Sequence, residues 1–204
     1  VMIAYQGKRA VDLAFALLAC IGFAPVVAVV ALAIWLEDSH SPFFTQIRIG
    51  RARRTFRILK FRTMEGGAVT RVGRWLRHTG LDELLQFVNV LRGEMSIVGP
   101  RPLTAEDIVR LDWSSDRHDW RFAAKPGITG VAQIVGGRSA RHSSRLDRLY
   151  LHRQSALLDI WIIVLSFLIN IAGKSTVRGW MRPHATRRPH RALSDRQGIT
   201  ESDS

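Results

Sequence analysis

Three short stretches hold the residue types that handle phosphates. Asp82 and Glu83 stand together in "LDELL", Lys60 and Arg62 close "RILKFR", and Arg101 sits between prolines in "GPRP". Pro100 and Pro102 confine Arg101 to an extended backbone of low entropy. Its planar guanidinium is thereby presented stiffly, the form in which a fork grips two phosphate oxygens. Lys60 and Arg62 end a strand-like run; they either aim at a phosphate or lie on a solvated basic ribbon. Asp82 and Glu83 also have two readings. Acids in the first turn of a helix complement its dipole, and the same pair could instead serve a reaction.

The elements that must position these groups are legible in part. "FFTQIRI" and "TFRILKF" are rich in aromatic and β-branched residues and predict a hairpin. "GRARR" between them suits its turn, with Gly50 supplying unusual backbone angles. Leu81, Leu84, Leu85, Val88 and Leu91 follow helical spacing. That helix is expected to be capped by Thr79 or Gly80, to hold Asp82 and Glu83 in its first turn, and to end near Gly93. "KPGITGVAQIVGGR" is turn-rich, and its glycines match neither a Rossmann nor a P-loop pattern. A helix is expected around Leu146–His152. A more apolar one follows from about Ala156 to Ala172, with Asp159 inside it. This second helix suits either the core of a soluble domain or the membrane interface, with Trp161 at headgroup level.

Composition narrows the partners. The 204 residues carry a net charge of +13, a pI near 11.4 and seven Lys or Arg between Ser41 and Met64 without one acid. Such charge suits nucleic acid, an anionic leaflet or phosphorylated substrates. Mean hydropathy is nevertheless +0.02, so apolar residues must be segregated. One cysteine, Cys20, excludes an intrachain disulfide, and no Cys/His cluster has zinc spacing.

The segregated apolar residues run from Leu13 to Leu36, 24 residues without a charge. That suffices to cross a bilayer and exceeds the apolar run of a signal peptide. Pro25 near its midpoint removes a backbone hydrogen bond. Lys8 and Arg9 flank one end and a run of arginines follows the other, so the positive-inside rule places both flanks on one face. A re-entrant helix–break–helix is therefore favoured over a spanning one.

Taken together, "KFRTM", "LDELLQFVNVLRGEMSIVGPRP" and "KPGITGVAQI" make the chain resemble the bacterial sugar transferase family, the monotopic phosphoglycosyl transferases, from about Lys8 to Ala172. The resemblance implies transfer of a sugar phosphate from a nucleotide diphosphate sugar, usually a UDP-sugar, to polyprenol phosphate such as undecaprenyl phosphate. UMP would be released, in a first membrane step of exopolysaccharide or glycoconjugate synthesis. It also implies a magnesium requirement and residence at the cytosolic face of the bacterial inner membrane. On this resemblance the acidic dyad falls on Asp82 and Glu83, with Asp82 the nucleophile that forms an aspartyl-phosphosugar; since helix neighbours diverge by about 100°, Glu83 is expected to hold magnesium, with Asp82, or to position the phosphate. The family's basic and acidic positions also fall on Lys60 and Arg101, expected to bind phosphate together with the Arg62 that the strand reading adds, and on Asp159, expected to support the site; Pro25 matches the proline that breaks the family's membrane helix. An N-terminal position on its helix would keep Asp82 ionised and aim backbone N–H groups at phosphate. The sequence departs from the family pattern at Ala24, where serine is common before the proline, at Leu85, usually proline, and at Gly80, usually a serine cap. The link from "KFRTM" to the dyad is also short.

The expected fold is α+β and mostly helical: a re-entrant membrane segment over 1–38, a compact cytosolic catalytic domain over 39–173 with interfacial helices and a small β-hairpin, and a basic, flexible tail over 174–204. Oligomeric state is left open. A nucleic-acid-binding module and a non-catalytic membrane scaffold are the competing readings. The first leaves Leu13–Leu36 unexplained and matches no recognition motif; the second leaves the acidic pair without use.

Overall fold

The hairpin forms where the sequence places it. In the computed structural model, which describes residues 4–136 and 139–172, β1 (Phe43–Ile49) pairs antiparallel with β2 (Thr55–Phe61), from Phe43 opposite Phe61 to Ile49 opposite Thr55. Side chains alternate across a strand. Phe56 and Ile58 turn into the core, and Lys60 shares their parity. The turn corrects one expectation. Positive φ falls on Ala52 and Arg53, at 54° and 56°, within a single helical turn (Arg51–Arg53). Gly50 is extended, at φ −106°, and a side chain there would press on the Phe56 ring at 3.1 Å.

Before the hairpin, α1 (Lys8–Asp38) is one helix of 31 residues with Pro25 inside it. The expected division into two helices is not seen: the helix runs on through Pro25, which lies on its exposed side. At ~100° per residue, the buried Lys8, Asp12, Ala16, Val30 and Ile34 all fall in one sector of about 80°. Leu17, Leu18, Ile21, Val29, Leu32 and Leu36 occupy the opposite side, each more than half exposed. The helix therefore lays one stripe along the protein and turns an apolar face outward. Its two ends join different parts of one body. The first end packs with α3 (Gln86–Leu91) and β5 (Ser96–Val98), the second with Phe61 and Leu76.

Beyond the hairpin, β3 (Met64–Glu65) and β4 (Ala68–Val69) form a two-residue ladder leading to α2 (Arg71–Thr79). Thr70 caps α2 by accepting from the Gly73 N–H at 2.9 Å. Thr79 does not cap the next helix as expected; its hydroxyl donates back to the Trp75 and Leu76 carbonyls. Gly80, at φ +75°, then reverses the chain. The single helix expected over Leu81–Leu91 is two pieces: a 3-10 turn (Leu81–Glu83) and then α3.

The glycine-rich "KPGITG" is partly a strand. β6 (Gly127–Thr129) pairs in parallel with β5, Ser96 beside Gly127 and Val98 beside Thr129. A parallel pair needs a crossover, here provided by α4 (Ala105–Arg110), a 3-10 turn (Asp116–His118) and α5 (Asp119–Phe122). A Cβ on Gly127 would come 2.1 Å from Gly99 N, and one on Gly130 2.3 Å from Gly99 O. These glycines allow two backbones to touch, and the pairing fixes the start of "GPRP" beside "KPGITG". The chain continues through α6 (Val131–Val135), α7 (Ala140–Arg153) and α8 (Ala156–Ala172). The helix expected at Leu146–His152 is thus twice as long, because Ser139 caps it early by accepting from His142 N–H. The fold is mostly helical, with three two-stranded sheets among the described residues and one long apolar helix. The basic tail over 174–204 lies outside the described residues.

Candidate active site

A cleft of about 1730 Å³ opens between α1, β2, α2, the 81–83 turn, α6, α7 and α8. Its walls hold Lys60, Arg62, Asp82, Glu83 and Arg101, so five of the residues singled out from the sequence share one space. Phe15, Leu18, Ala19 and Phe23 of α1 line its apolar side.

Asp82 is held by the apolar residues around it. Leu81, Leu84 and Leu85 pack with the buried Phe61, Leu76, Val30 and Ile34. The acids between them are left to face the cleft. Gly80 gives the turn its entry angle and lies against Asn170 of α8: a Cβ there would meet Asn170 Nδ2 at 3.0 Å. Burial and the neighbouring Glu83 push the Asp82 carboxyl above its ordinary value of 3.8, with Lys60 and Arg77 pulling the other way. This corrects the expectation that a helix start keeps Asp82 readily ionised. The turn is too short to have a macrodipole of consequence, and removal from water dominates.

Lys60, delivered inward by its strand parity, donates to Glu83 Oε1 at 2.7 Å. Behind it the hairpin is fastened by Asn89, wholly buried on α3. Asn89 accepts from Leu59 N–H at 2.9 Å and donates to the Arg57 carbonyl at 2.8 Å and to Glu94 at 2.6 Å. Arg62 is on the cleft wall but already engaged. It donates to Asp38 at 2.7 Å, to Glu65 at 2.7 Å and to the Ser41 carbonyl at 2.7 Å, and it holds the Asp38 carboxyl down to about 2. Arg62 therefore ties the end of α1 to the hairpin.

Arg101 is exposed, as its proline frame suggested, and no carboxylate pairs with it among the described residues. Arg48 of β1 supports its loop by donating to the Pro102 carbonyl at 3.3 Å, and reaches Asp107 at 3.5 Å. Burial, then the proximity of Arg101, lowers the Arg48 guanidinium from its ordinary value.

Asp159 does not line the cleft. It is 1% exposed and accepts from Lys8 at 2.6 Å, Tyr150 at 2.7 Å and Tyr5 at 3.0 Å. Asn170 lies eleven positions further along α8, about 16 Å of helix. It anchors the start of α1, and burial and its charge raise the Tyr5 and Tyr150 phenols well above their ordinary value.

Sequence reasoning missed Arg77. It lines the cleft from α2, its Nε donating to the buried Thr63 hydroxyl at 2.9 Å. Like Arg101, it has no carboxylate partner among the described residues, whereas Arg48, Lys60, Arg62 and Arg121 of the same cleft each do. The signal that could have found it is "GRWLR", where Gly73 lets α2 sit on the Thr63 backbone: a Cβ would come 2.2 Å from Thr63 O. The buried Arg121–Asp147 pair, 3.3 Å apart, was also unforeseen; it closes the far wall and fixes the Arg101 carbonyl at 2.8 Å.

Among the described residues, two sets of acids bear on a divalent cation. Asp82 and Glu83 offer adjacent carboxylates in the cleft. Asp38, His40 and Glu65 bring ligand atoms within 4.8 Å of one another. The second group already contains a cation, the Arg62 guanidinium, which fits it poorly for a metal.

Comparison with known proteins gives the family. Residues 3–173 match the family profile described as Bacterial sugar transferase. A Caulobacter vibrioides protein named UDP-glucose:undecaprenyl-phosphate glucose-1-phosphate transferase is 41% identical over 172 residues, covering 76% of this chain and 63% of its own length. The undecaprenyl-phosphate glucose phosphotransferase of Komagataeibacter xylinus is 38% identical over 184 residues, covering 78% of this chain and 35% of its own. The exopolysaccharide production protein ExoY of Sinorhizobium fredii is 34% identical over 187 residues, covering 76% and 81%. The chain thus spans between about a third and two thirds of the first two relatives. None of these names supports a nucleic-acid-binding or scaffold reading.

Proposed function

From the premise that this chain belongs to the bacterial sugar transferase family, we propose that it transfers a sugar phosphate from a UDP-sugar to a polyprenol phosphate, with undecaprenyl phosphate as acceptor. The observation that carries this reading is the cleft itself. A partly buried Asp82 stands beside a Lys60–Glu83 pair, and two guanidiniums without carboxylate partners, Arg77 and Arg101, line the same space.

The reaction has two displacements. Asp82 attacks the phosphorus that bears the sugar; the new acyl–phosphate bond forms as the bond to UMP breaks, and UMP leaves with the electron pair. The acceptor's phosphate oxygen then attacks the same phosphorus, giving polyprenyl diphosphosugar and restoring the Asp82 carboxylate. Like charges oppose both steps. Arg101 and Arg77 screen them as fixed cations whose orientation is set before the substrate arrives. Lys60 holds Glu83 aside from Asp82, so the neighbouring carboxylates take different roles.

A magnesium ion suits the pair Asp82 and Glu83: it takes oxygen ligands, and one or two carboxylates completed by substrate phosphates is its common set. When bound there it would neutralise diphosphate charge. Lys60 engages Glu83 Oε1 and leaves Oε2 free to serve.

Both ends of α1 are fastened to one body, by Lys8 to Asp159 and by Asp38 to Arg62, while its outer face is apolar. That supports insertion from one side at the cytosolic face of the inner membrane, with Phe15, Leu18 and Phe23 leading an apolar acceptor chain toward the cleft.

The test is UMP release from membranes holding the protein, supplied with polyprenol phosphate, magnesium and a panel of UDP-sugars. Release with one or more sugars, dependent on Asp82, is expected. No nucleotide release from any member, with the fold intact, rejects the proposal.

A further inference from the structure

A second cluster of cations lies away from the cleft, where α1 begins. Arg9 closes the end of α3, donating through Nη1 to the Val90 carbonyl at 2.7 Å and through Nη2 to the Leu91 carbonyl at 3.2 Å. The chain then turns at Gly93, φ +85°. A methyl group built on Gly93 would lie 3.5 Å from Arg9 Nη2 and 3.8 Å from Lys125 Nζ, with nothing else within 4 Å beyond its chain neighbours. Two cations from distant parts of the sequence therefore border one open space about the size of an oxygen atom. Arg51, in the hairpin turn, adds a third charge close enough to act on Lys125.

None of the three has a carboxylate partner among the described residues. Lys8, Arg48, Arg53, Lys60, Arg62, Arg110, Arg117 and Arg121 all do. Burial first, then Arg9 and Arg51, lower the Lys125 ammonium from its ordinary value, with Asp12 opposing. An anion seated over Gly93 would relieve that repulsion.

The position indicates which anion. Arg9 precedes by four residues the start of the uncharged run at Leu13. The α8 residues next to the Lys8–Asp159 contact expose Leu157 and Trp161, 74% and 64% accessible. Cations at the start of an apolar helix, with an exposed tryptophan on the helix that Lys8 ties to that start, suit lipid-headgroup level.

We propose that Arg9 and Lys125 bind the phosphate of an anionic phospholipid headgroup above the bare backbone of Gly93, with the charge of Arg51 adding to the field there. This site rests on the reading that α1 enters the membrane and is separate from the proposed chemistry. It would fix the depth and tilt of the protein at the bilayer surface.

The full chain in nonionic detergent is titrated with phosphatidylglycerol or with phosphatidylcholine of the same acyl chains, and bound lipid per chain is read by native mass spectrometry. Phosphatidylglycerol is expected to bind more tightly. Lys125→Gln and Arg51→Gln should each weaken it about fivefold, the usual effect of one cation at a membrane surface. Gly93→Asp, which puts a carboxylate into the space, should abolish the preference, whereas Arg117→Gln should leave it unchanged. Thermal unfolding of each variant confirms that it is folded. Equal affinity for the two lipids, or insensitivity to both glutamine variants, overturns the site. Displacement of phosphatidylglycerol by equimolar inorganic phosphate overturns the lipid assignment. Flotation with purely zwitterionic vesicles is the separating control: its loss sinks the membrane reading of α1 and this site with it, leaving the cleft chemistry untouched.

Discussion

Asp159 is the residue whose role the structure changes most, and replacing it has a calculable consequence. Its carboxylate, 1% exposed, neutralises Lys8 at 2.6 Å and accepts from two phenols. Asp159→Ala leaves the Lys8 ammonium buried with only Asp12, 3.1 Å away, and that acid already accepts from Ser96 Oγ and Ile97 N–H. Removing one partner of a buried ion pair costs about 3–5 kcal/mol. For a folded body of this size, each kcal/mol lowers Tm by roughly 2–4 °C, so the melting point should fall by about 6–20 °C. Asp159→Asn keeps the shape and should cost less. A double variant, Lys8→Met with Asp159→Asn, removes both charges and should recover much of the loss, since neutral replacement of a buried pair is often tolerated. Thermal unfolding of the purified chain in detergent measures all three. Because Asp159 lies about 16 Å along α8 from Asn170, the residue that lies against Gly80 at the entry to the acidic turn, UMP release well below the melting point should stay within severalfold of the parent. An unchanged Tm with activity down a hundredfold or more would refute this account and return Asp159 to the reacting centre.

Other expectations follow from the same geometry. Asp82 must be ionised to attack, and its carboxyl is raised above 3.8 by burial and Glu83. In the metal-free protein the Asp82 carboxyl should therefore titrate above that value when followed by NMR, and Arg77→Gln, which removes an opposing charge, should move it further up; an unmoved titration would exclude Arg77 from the site. The same shift has a sign for stability. Folding favours the protonated acid, so the contribution of Asp82 is largest below the ordinary value and is lost as pH rises through the raised one. Asp82→Asn should accordingly melt no lower than the parent at neutral pH while turnover vanishes. Gly73→Ala forces a methyl to 2.2 Å from the Thr63 carbonyl oxygen and should cost at least about 1–3 kcal/mol, read as a lower melting point. With Cys20 replaced, cysteines introduced at Gln6 and Ser41 should react from the same side of the membrane. Labelling from opposite sides would establish a crossing helix.

The hairpin was readable because its alternation is local, and the same parity sends Lys60 inward. Asp82 and Glu83 could be placed on a turn from their leucine neighbours, although what periodicity alone merges into one helix is a 3-10 turn (Leu81–Glu83) followed by α3. Other features depended on contacts across long sequence distances. Arg77 looks like any surface arginine until Thr63 is seen to hold it. The parallel pairing of Ser96–Val98 with Gly127–Thr129 requires glycines that read from sequence as turns. Arg62 carries the right charge to bind phosphate and Asp159 reads as a supporting acid, yet their partners, Asp38 and Lys8, sit at opposite ends of α1. Pro25 signals a break on chemical grounds, and the helix assignment nevertheless runs through it, with Pro25 on the exposed side of α1.

The most direct measurement is intact-protein mass spectrometry after incubation with a UDP-sugar and magnesium in the absence of acceptor. The account predicts one added sugar phosphate per chain, mapped to Asp82, with one UMP released for each and the label lost when polyprenol phosphate is added. Release of UMP only when both substrates are present, or a label carried by any residue other than Asp82, would contradict it.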